Sequence, residues 1–419
     1  MKIKLIFENH YNGNFIYTIE LIKKIIIANN HILVDSYNEC DLIAISSISI
    51  QNGGLEWIKK ITSKIKKEVE KPIVIGGHAT STPMILLKYV DYVNIGHGFE
   101  FFEKCKSIND IEKQPFILKR GDTSVFISQK IDWKLAPLVQ IGKKNFYYWI
   151  ASGCKNKCTY CSTTHFYKHQ KNNLFNNEKI NKIKKKIGKN NLILITNEFN
   201  NDTIIKTQVI DSTFKQYIEN PKRYNNIGKI RMGIEFPTEA LRKKTGKPIS
   251  NDEIKEVVKI SKKYNKHLGW FFIAGLNTQE EFEFFKENLL YDNYTARPQI
   301  EVMINYFITA YNTPLGKNFN IINNYKELDL KRLQYIWSKT NSRIRIGFYH
   351  VMKPYSALIK SLIERCSWET NSLENILKLK KEKFQCLDDF YDKCRLFRVD
   401  HLLIKPEYEL KLIKSKLNE

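Results

Sequence analysis

Short apolar segments alternate with segments of helical periodicity throughout the first hundred residues. Leu55, Ile58, Ile61 and Ile65 recur on one face of a predicted helix that ends before Pro72. The apolar segments predict five strands: residues 2–7, 31–37, 41–49, 72–77 and 91–96. Strands that alternate with helices pair in parallel and are covered on both faces. The sequence therefore predicts a parallel α/β sheet in this part of the chain.

Three polar loops follow strands of the predicted sheet. They contain Glu8-x-His10-x-x-Gly13, Ser47-x-Ser49 and the pair Gly76-Gly77. Ligands of parallel sheets bind beyond the carboxyl ends of the strands, where such loops meet. A histidine after a strand is also common as a surface or helix-capping residue, and a glycine pair occurs in any doubly wound sheet. Both interpretations stay open at the level of these residues.

The three loops resemble the pattern DxHxxG, SxL and GG of cobalamin-binding Rossmann-like domains. The resemblance implies that His10 ligates the cobalt of cobalamin from below. It implies that four further residues surround the buried nucleotide tail: Gly13, Ser47, Gly76 and Gly77. The sequence departs from the pattern at two positions, because Glu8 replaces Asp and Ser49 replaces Leu. These departures, and a short interval before Ser47, leave a Rossmann domain without cobalamin as the alternative.

A cysteine triplet follows the predicted strand 147–153 directly. Cys154, Cys158 and Cys161 lie in the segment CKNKCTYC. Three thiolates with these spacings wrap around one face of a 4Fe-4S cubane and leave the fourth iron open. An open iron chelates the amino and carboxylate groups of a methionine-type ligand. A zinc site is the alternative, with His165 or His169 as the fourth ligand.

The spacing CxxxCxxC, with Tyr160 before the last cysteine, resembles the radical S-adenosylmethionine (SAM) superfamily. The resemblance implies a partial (β/α)6 TIM-like barrel that holds a 4Fe-4S cluster and SAM. It places Tyr160 at the cofactor site, Glu198 at the SAM amino group, Glu235 along the SAM site and Gly275 close to adenine. A surface loop position for Glu198 and ordinary burial for Glu235 are the alternatives. The segment 239–258 resembles the family's helix–turn–helix, with Ser250 and Glu253 forming a capping box.

Four regions follow from these patterns. We predict a cobalamin-binding-like Rossmann domain over 1–118, a linker over 119–146, a radical SAM core over 147–320 and a helical basic region over 321–419. Only five barrel strands are visible, because no sixth strand is apparent between residues 200 and 228. In the last region, Cys366, Cys386 and Cys394 are either buried thiols or ligands of an auxiliary cluster. Their spacing matches no tight ligand pattern, which favours buried thiols.

The charge of the chain is strongly positive and unevenly distributed. The net charge is +24, with 20 basic and 15 acidic residues in the first 150 and 48 and 29 in the rest. Such a surplus favours an anionic partner such as nucleic acid, and compositional bias toward lysine is an equal alternative. No apolar run is long enough for a membrane helix, and the start lacks a signal peptide. We therefore expect a cytoplasmic protein without membrane contact.

The resemblance implies an enzyme that reductively cleaves SAM to a 5′-deoxyadenosyl radical and modifies an unactivated carbon, with cobalamin-dependent methylation as one outcome. It also implies an external electron donor of the flavodoxin or ferredoxin type. Two alternatives remain: a cobalamin-independent lyase or isomerase that modifies tRNA or DNA, and a non-catalytic module that binds a cluster or a corrinoid. No catalytic side chain and no substrate are identified by the sequence.

Overall fold

The fold is that of a computed structural model of the whole chain. It describes these residues: 1–8, 13–47, 54–77, 80, 82–122, 124–127, 131, 133, 138–154, 156–161, 170–172, 174, 176–188, 191–195, 209–225, 227–274, 300–308, 313–318, 344–347, 354–366, 372–403 and 411–414. Among them, no helix is both long and apolar enough to cross a membrane.

A six-stranded sheet forms the first part of the fold. Its strands are β1 (Lys2–Phe7), β2 (Ile32–Leu33), β3 (Leu42–Ser46), β4 (Ile73–Gly76), β5 (Tyr92–Asn94) and β6 (Ile117–Leu118). Their spatial order is β2-β1-β3-β4-β5-β6, and all pairs are parallel except β5 with β6. Every residue of β3 is buried, as a central strand covered on both faces requires. The predicted parallel sheet is confirmed.

Helices connect these strands and cover the sheet. They are Gly13–Ala28, Gly54–Glu68, Pro83–Leu86 and Gly98–Lys104. The predicted apolar face of the second helix is buried at Leu55, Ile58 and Ile65. Thr82 occupies the N-cap before Pro83, although its side chain makes no capping hydrogen bond.

The segment 119–146, predicted as a linker, contains short strands. These are β7 (Ser124–Ile127), β8 (Val139–Ile141) and the start of β9 (Asn145–Trp149). β8 pairs antiparallel with β9, which in turn pairs in parallel with β12 (Asn191–Ile195). Backbone pairing of short segments stabilises strands that are too brief to show a clear alternation in sequence. The strands β8 and β9 therefore belong to one sheet, which precedes the cysteine triplet.

The barrel strands follow one another in space as they do in the chain. After β10 (Ala151–Ser152) and β11 (Gln170–Lys171), a parallel sheet of five strands has the order β13-β14-β15-β16-β17. Its strands are β13 (Val209–Asp211), β14 (Lys229–Glu235), β15 (His267–Ala274), β16 (Ile300–Tyr306) and β17 (Ile344–Gly347). The strand thought to be missing between residues 200 and 228 is β13. It is three residues long and is held by its register with β14.

Helices surround the barrel and form most of the described C-terminal region. They are Asn177–Ile187, Phe214–Glu219, Glu239–Lys244, Asn251–Lys263, Pro314–Asn318, Pro354–Arg365, Ser372–Leu379 and Leu387–Leu396. The predicted capping box is confirmed, because Ser250 and Glu253 exchange both hydrogen bonds. The C-terminal region is not purely helical, however. β17 extends the barrel sheet and β18 (Lys411–Lys414) pairs with β7.

Candidate cofactor site

The cysteine triplet lies on a loop that follows β10 at the carboxyl end of the first barrel strand. Cys158 is buried, whereas Cys154 and Cys161 are half-buried, and none of the three is in a disulfide. A tight turn joins the last two, because the Cys161 amide donates a hydrogen bond to the Cys158 carbonyl at 3.2 Å. Three thiols on so short a loop are a donor set that suits an iron–sulfur cluster.

Two neighbouring turns hold this loop through Thr159. The Thr159 amide donates to the Thr245 carbonyl at 2.9 Å, and the Thr159 carbonyl accepts from the Leu315 amide at 3.0 Å. On the first side the Cys158 thiol also donates to the Gly246 carbonyl, with 3.8 Å between Sγ and oxygen. The loop is therefore fixed between the helix–turn–helix and the turn that follows β16.

Gly246 allows this close approach. Its φ of +79° lies in the left-handed region, and a Cβ at this position would lie 2.3 Å from the Lys157 carbonyl oxygen. A side chain at 246 would displace the segment that carries Cys158. The next residue, Lys247, forms an ion pair with Glu235.

Glu235 ends β14 in an unusual backbone conformation. Its φ is +69°, and the pairing of β14 with β15 shifts register between Gly233 and Glu235. A bulge of this kind changes the direction of a side chain at a sheet end. The Glu235 carboxylate forms an ion pair with Lys247 at 2.6 Å between Oε1 and Nζ. A Cβ at Gly233 would clash with both of these charged groups, so glycine at 233 makes room for the pair.

A cavity of about 340 Å³ lies beside the cysteine loop. Glu235 and Tyr160 line it together with residues from the ends of β15 and β16, namely Phe271, Phe272, Ile273, Asn305, Tyr306, Phe307 and Ile308. The ring of Tyr160 packs edge-on against Phe236, with 5.1 Å between ring centroids. Burial, and then the nearby Glu235 carboxylate, raise the pKa of the Tyr160 hydroxyl, which stays protonated. The cavity is thus aromatic, with one carboxylate and one amide.

The N-terminal sheet has its own polar edge. The Glu8 amide donates to the Ser46 carbonyl at 3.3 Å, and the Ser47 amide donates to the Gly76 carbonyl at 3.1 Å. The Ser47 hydroxyl donates to Glu8 Oε2 at 2.6 Å, and both side chains are buried. Gly77 has a φ of +96°, and a Cβ there would lie 2.4 Å from the Ser47 carbonyl oxygen. The three loops therefore meet at one edge.

No protein-family model matches the sequence, and no match was found among curated proteins. Two solved structures of TsrM, a radical SAM methyltransferase from Kitasatospora setae, are similar to the chain. The one with cobalamin and a 4Fe-4S cluster bound is 9% identical, covers 85% of this chain and 84% of its own, and has a TM-score of 0.55. The one with tryptophan and the SAM analogue aza-SAM bound is 9% identical, covers 91% and 99%, and has a TM-score of 0.59. The chain shares the fold of these two radical SAM methyltransferase structures.

Within this shared fold, three of the predicted groups come together. Tyr160 and Glu235 line the same cavity, and Cys158 lies next to Tyr160 on the loop at its margin. Glu198, Gly275 and His10 lie outside the described residues, so their roles stay predictions. Gly13 begins the first helix, and Ser47, Gly76 and Gly77 lie at the edge of the N-terminal sheet.

The described part of the chain contains no preformed metal site. No three His, Cys, Asp or Glu side chains there converge closely enough to hold a metal ion, and this includes the cysteine triplet as it stands. The remaining C-terminal cysteines have other contacts. The Cys366 thiol donates to the Ile363 carbonyl, Cys386 caps the helix Leu387–Leu396, and Cys394 is fully buried. These contacts favour structural thiols over the auxiliary cluster.

Sequence reasoning missed Gly246 and Lys247. Both lie in the segment TGKP, within the stretch recognised only as a helix–turn–helix. A glycine followed by Lys-Pro at the end of a helix is a turn signal in its own right. What the sequence could not show is that this turn contacts Cys158 and Glu235, because the contacts join residues far apart in the chain.

Proposed function

We propose that the chain is a radical SAM enzyme in which Cys154, Cys158 and Cys161 hold a 4Fe-4S cluster beside the described cavity. The observation that carries this proposal is the adjacency of the cysteine loop to a cavity lined by Tyr160 and Glu235. Anaerobic incubation with SAM and a reductant tests it, because reductive cleavage releases 5′-deoxyadenosine. A cluster-binding module without catalysis would yield none.

When bound, the reduced cluster and SAM supply a 5′-deoxyadenosyl radical, which removes hydrogen from an unactivated carbon. The chain's own residues bind and orient SAM and shield the reacting groups from water. The Glu235 carboxylate accepts hydrogen bonds, and the ribose hydroxyls and ammonium group of SAM are donors. Phe271, Phe272 and Phe307 present aromatic surface that excludes water from the reacting groups. Tyr160 remains a neutral hydroxyl beside them.

The N-terminal domain is proposed to bind a corrinoid that serves in methyl transfer. The convergence of the Glu8, Ser47 and Gly77 loops supports this, because such an edge is where doubly wound sheets bind ligands. The Ser47 hydroxyl already donates its proton to Glu8, so it offers only lone pairs to a ligand. His10 is the proposed cobalt ligand.

Gly77→Ala is expected to reduce corrinoid retention by at least about tenfold relative to the wild type, because a Cβ forces the Gly77 turn away from Ser47. Gly121→Ala is the matched control. Gly121 has a similar φ of +94°, and no atom lies within 4 Å of its virtual Cβ. The measurement is the visible spectrum after reconstitution and gel filtration. Equal corrinoid retention by both variants would show that the sheet edge at Gly77 is not part of the corrinoid site.

An anionic substrate or an acidic electron donor is proposed to bind the exposed lysines near the barrel. Lys184, Lys185 and Lys186 end the helix Asn177–Ile187, and all three are exposed. Among the described residues no ion pair occupies them, whereas Lys182 in the same helix pairs with Glu178. These exposed lysine charges favour nucleic acid as a candidate substrate class.

Replacing Lys184, Lys185 and Lys186 with glutamine is expected to flatten the salt dependence of tRNA or single-stranded DNA binding. Each lost phosphate contact reduces the slope of log affinity against log salt by about 0.7. SAM cleavage stays unchanged. The control triplet is Lys64, Lys66 and Lys67, which are exposed on the helix Gly54–Glu68 in the N-terminal part of the fold. If wild-type binding is undetectable at low salt, the charge surplus is compositional and nucleic acid is rejected as substrate.

A further inference from the structure

Arg365 is a fully buried arginine at the end of the helix Pro354–Arg365, outside the barrel. Its guanidinium group donates to three backbone carbonyls. Nη1 donates to Leu402 at 2.9 Å and to Leu403 at 3.1 Å, and Nη2 donates to Gly316 at 2.9 Å. Burial lowers the pKa of Arg365 to about 10, so the side chain remains charged at neutral pH. It joins a C-terminal 3₁₀ helix to the turn that follows β16.

The Gly316 turn leads directly to the cysteine loop. The Gly316 amide donates to Thr313 Oγ1 at 3.0 Å, and Thr313 is fully buried. The preceding residue, Leu315, donates its amide hydrogen to the Thr159 carbonyl. Arg365 thus binds the residue next to Leu315, whose amide holds the loop between Cys158 and Cys161.

A second buried arginine supports the opposite side of the loop. Arg242 donates to the carbonyls of Phe236, Pro237 and Ile249 at 2.9, 2.7 and 2.7 Å. Its own carbonyl accepts from the Lys247 amide and from Thr245 Oγ1. Thr245 is the residue whose carbonyl receives the Thr159 amide. The two backbone hydrogen bonds of Thr159 are therefore each supported by a buried guanidinium group.

We propose that Arg365, acting through the Gly316 turn, is a positioning residue for the cysteine loop. The role of the loop in holding a cluster rests on the proposed function above. The geometric reason for arginine is its planar fork, which spans several carbonyl acceptors at once and which lysine lacks. Hydrogen bonds from a charged donor are stronger than those between neutral groups.

The test compares Arg365→Met with Arg395→Met in the full-length chain. Arg395 is an exposed arginine in a neighbouring helix, where it pairs with Asp392. Amide hydrogen exchange is measured without a cluster, so the result is independent of iron binding. Loss of Arg365 is expected to lower protection at Leu315, Gly316 and Thr159 by about tenfold, as removal of a charge-assisted hydrogen bond implies. Arg395→Met leaves these amides unchanged.

Two further variants separate positioning from general stability. If Arg365→Met fails to fold, Thr313→Val provides the test, because it removes the side-chain acceptor of the Gly316 amide and is expected to lower protection at the same sites. Arg365→Lys is expected to restore part of the protection. After reconstitution, the Arg365→Met cluster is expected to bleach several-fold faster in air and to give an altered EPR spectrum with SAM.

Unchanged protection at Leu315 and Thr159, or an equal loss of protection in the N-terminal sheet, would overturn the proposal. Lowered protection confined to the cysteine loop and the Gly316 turn supports it. If the wild type binds no iron while these amides still respond, the proposed function fails and the positioning of the loop by Arg365 stands.

Discussion

Alanine at Cys154, Cys158 and Cys161 is expected to abolish both the visible absorbance of the 4Fe-4S cluster and the cleavage of SAM. The thiolates are the only bonds between the proposed cluster and the chain, so their loss removes the cofactor rather than weakening it. The loss of activity should exceed about a thousandfold, since no protein side chain substitutes for the cluster as electron source. Iron and sulfide analysis of anaerobically reconstituted protein provides the measurement.

The matched control removes the same number of thiols elsewhere. Alanine at Cys366, Cys386 and Cys394 leaves the cluster absorbance in place, because these residues pack in or cap the C-terminal helices. Near-stoichiometric iron in the first triple variant would contradict the assignment of the cysteine loop. Loss of iron in the control variant alone would indicate instead that the C-terminal cysteines hold an iron–sulfur cluster.

Gly246→Ala is expected to have the second-largest effect. An L-residue in the left-handed region costs about 1–2 kcal/mol. The new methyl group also meets the Lys157 carbonyl at 2.3 Å, which adds about 1–3 kcal/mol of overpacking. Because the displaced segment carries Cys158, cluster content should fall along with the free energy of unfolding.

Gly142→Ala separates the two contributions. Gly142 has a φ of +66°, and nothing lies within 4 Å of its virtual Cβ, so this variant carries only the backbone cost. Urea unfolding and iron content are measured for both variants. A Gly246→Ala protein that keeps a full cluster and unfolds like Gly142→Ala would show that the close approach to Lys157 does not position the loop.

Much of the architecture could be predicted from local sequence patterns. The alternation of apolar and amphipathic segments defines the N-terminal sheet, because strand and helix periods differ over a few residues. The capping box at Ser250 and Glu253 was predicted for the same reason, since its partners are three residues apart. The cysteine triplet points to its chemistry because its members share one short loop.

Features that depend on distant partners escaped prediction. β13 has three residues and β17 has four, and both are strands because they pair with neighbouring barrel strands. The ion pair between Glu235 and Lys247 depends on a bulge and on Gly233, none of which has a periodic signature. The contact of Arg365 with Gly316 joins residues 49 positions apart. Tertiary contacts, not propensity, decide each of these cases.

The most direct test of the proposed function is the formation of 5′-deoxyadenosine from SAM. The reconstituted wild-type chain, the triple alanine variant of Cys154, Cys158 and Cys161, and the C-terminal triple control are incubated anaerobically with SAM and a strong reductant. We expect 5′-deoxyadenosine and methionine from the wild type and the control, and neither product from the variant that lacks Cys154, Cys158 and Cys161. A wild-type chain with a full complement of iron that releases no 5′-deoxyadenosine, with or without added corrinoid, would contradict the proposed function.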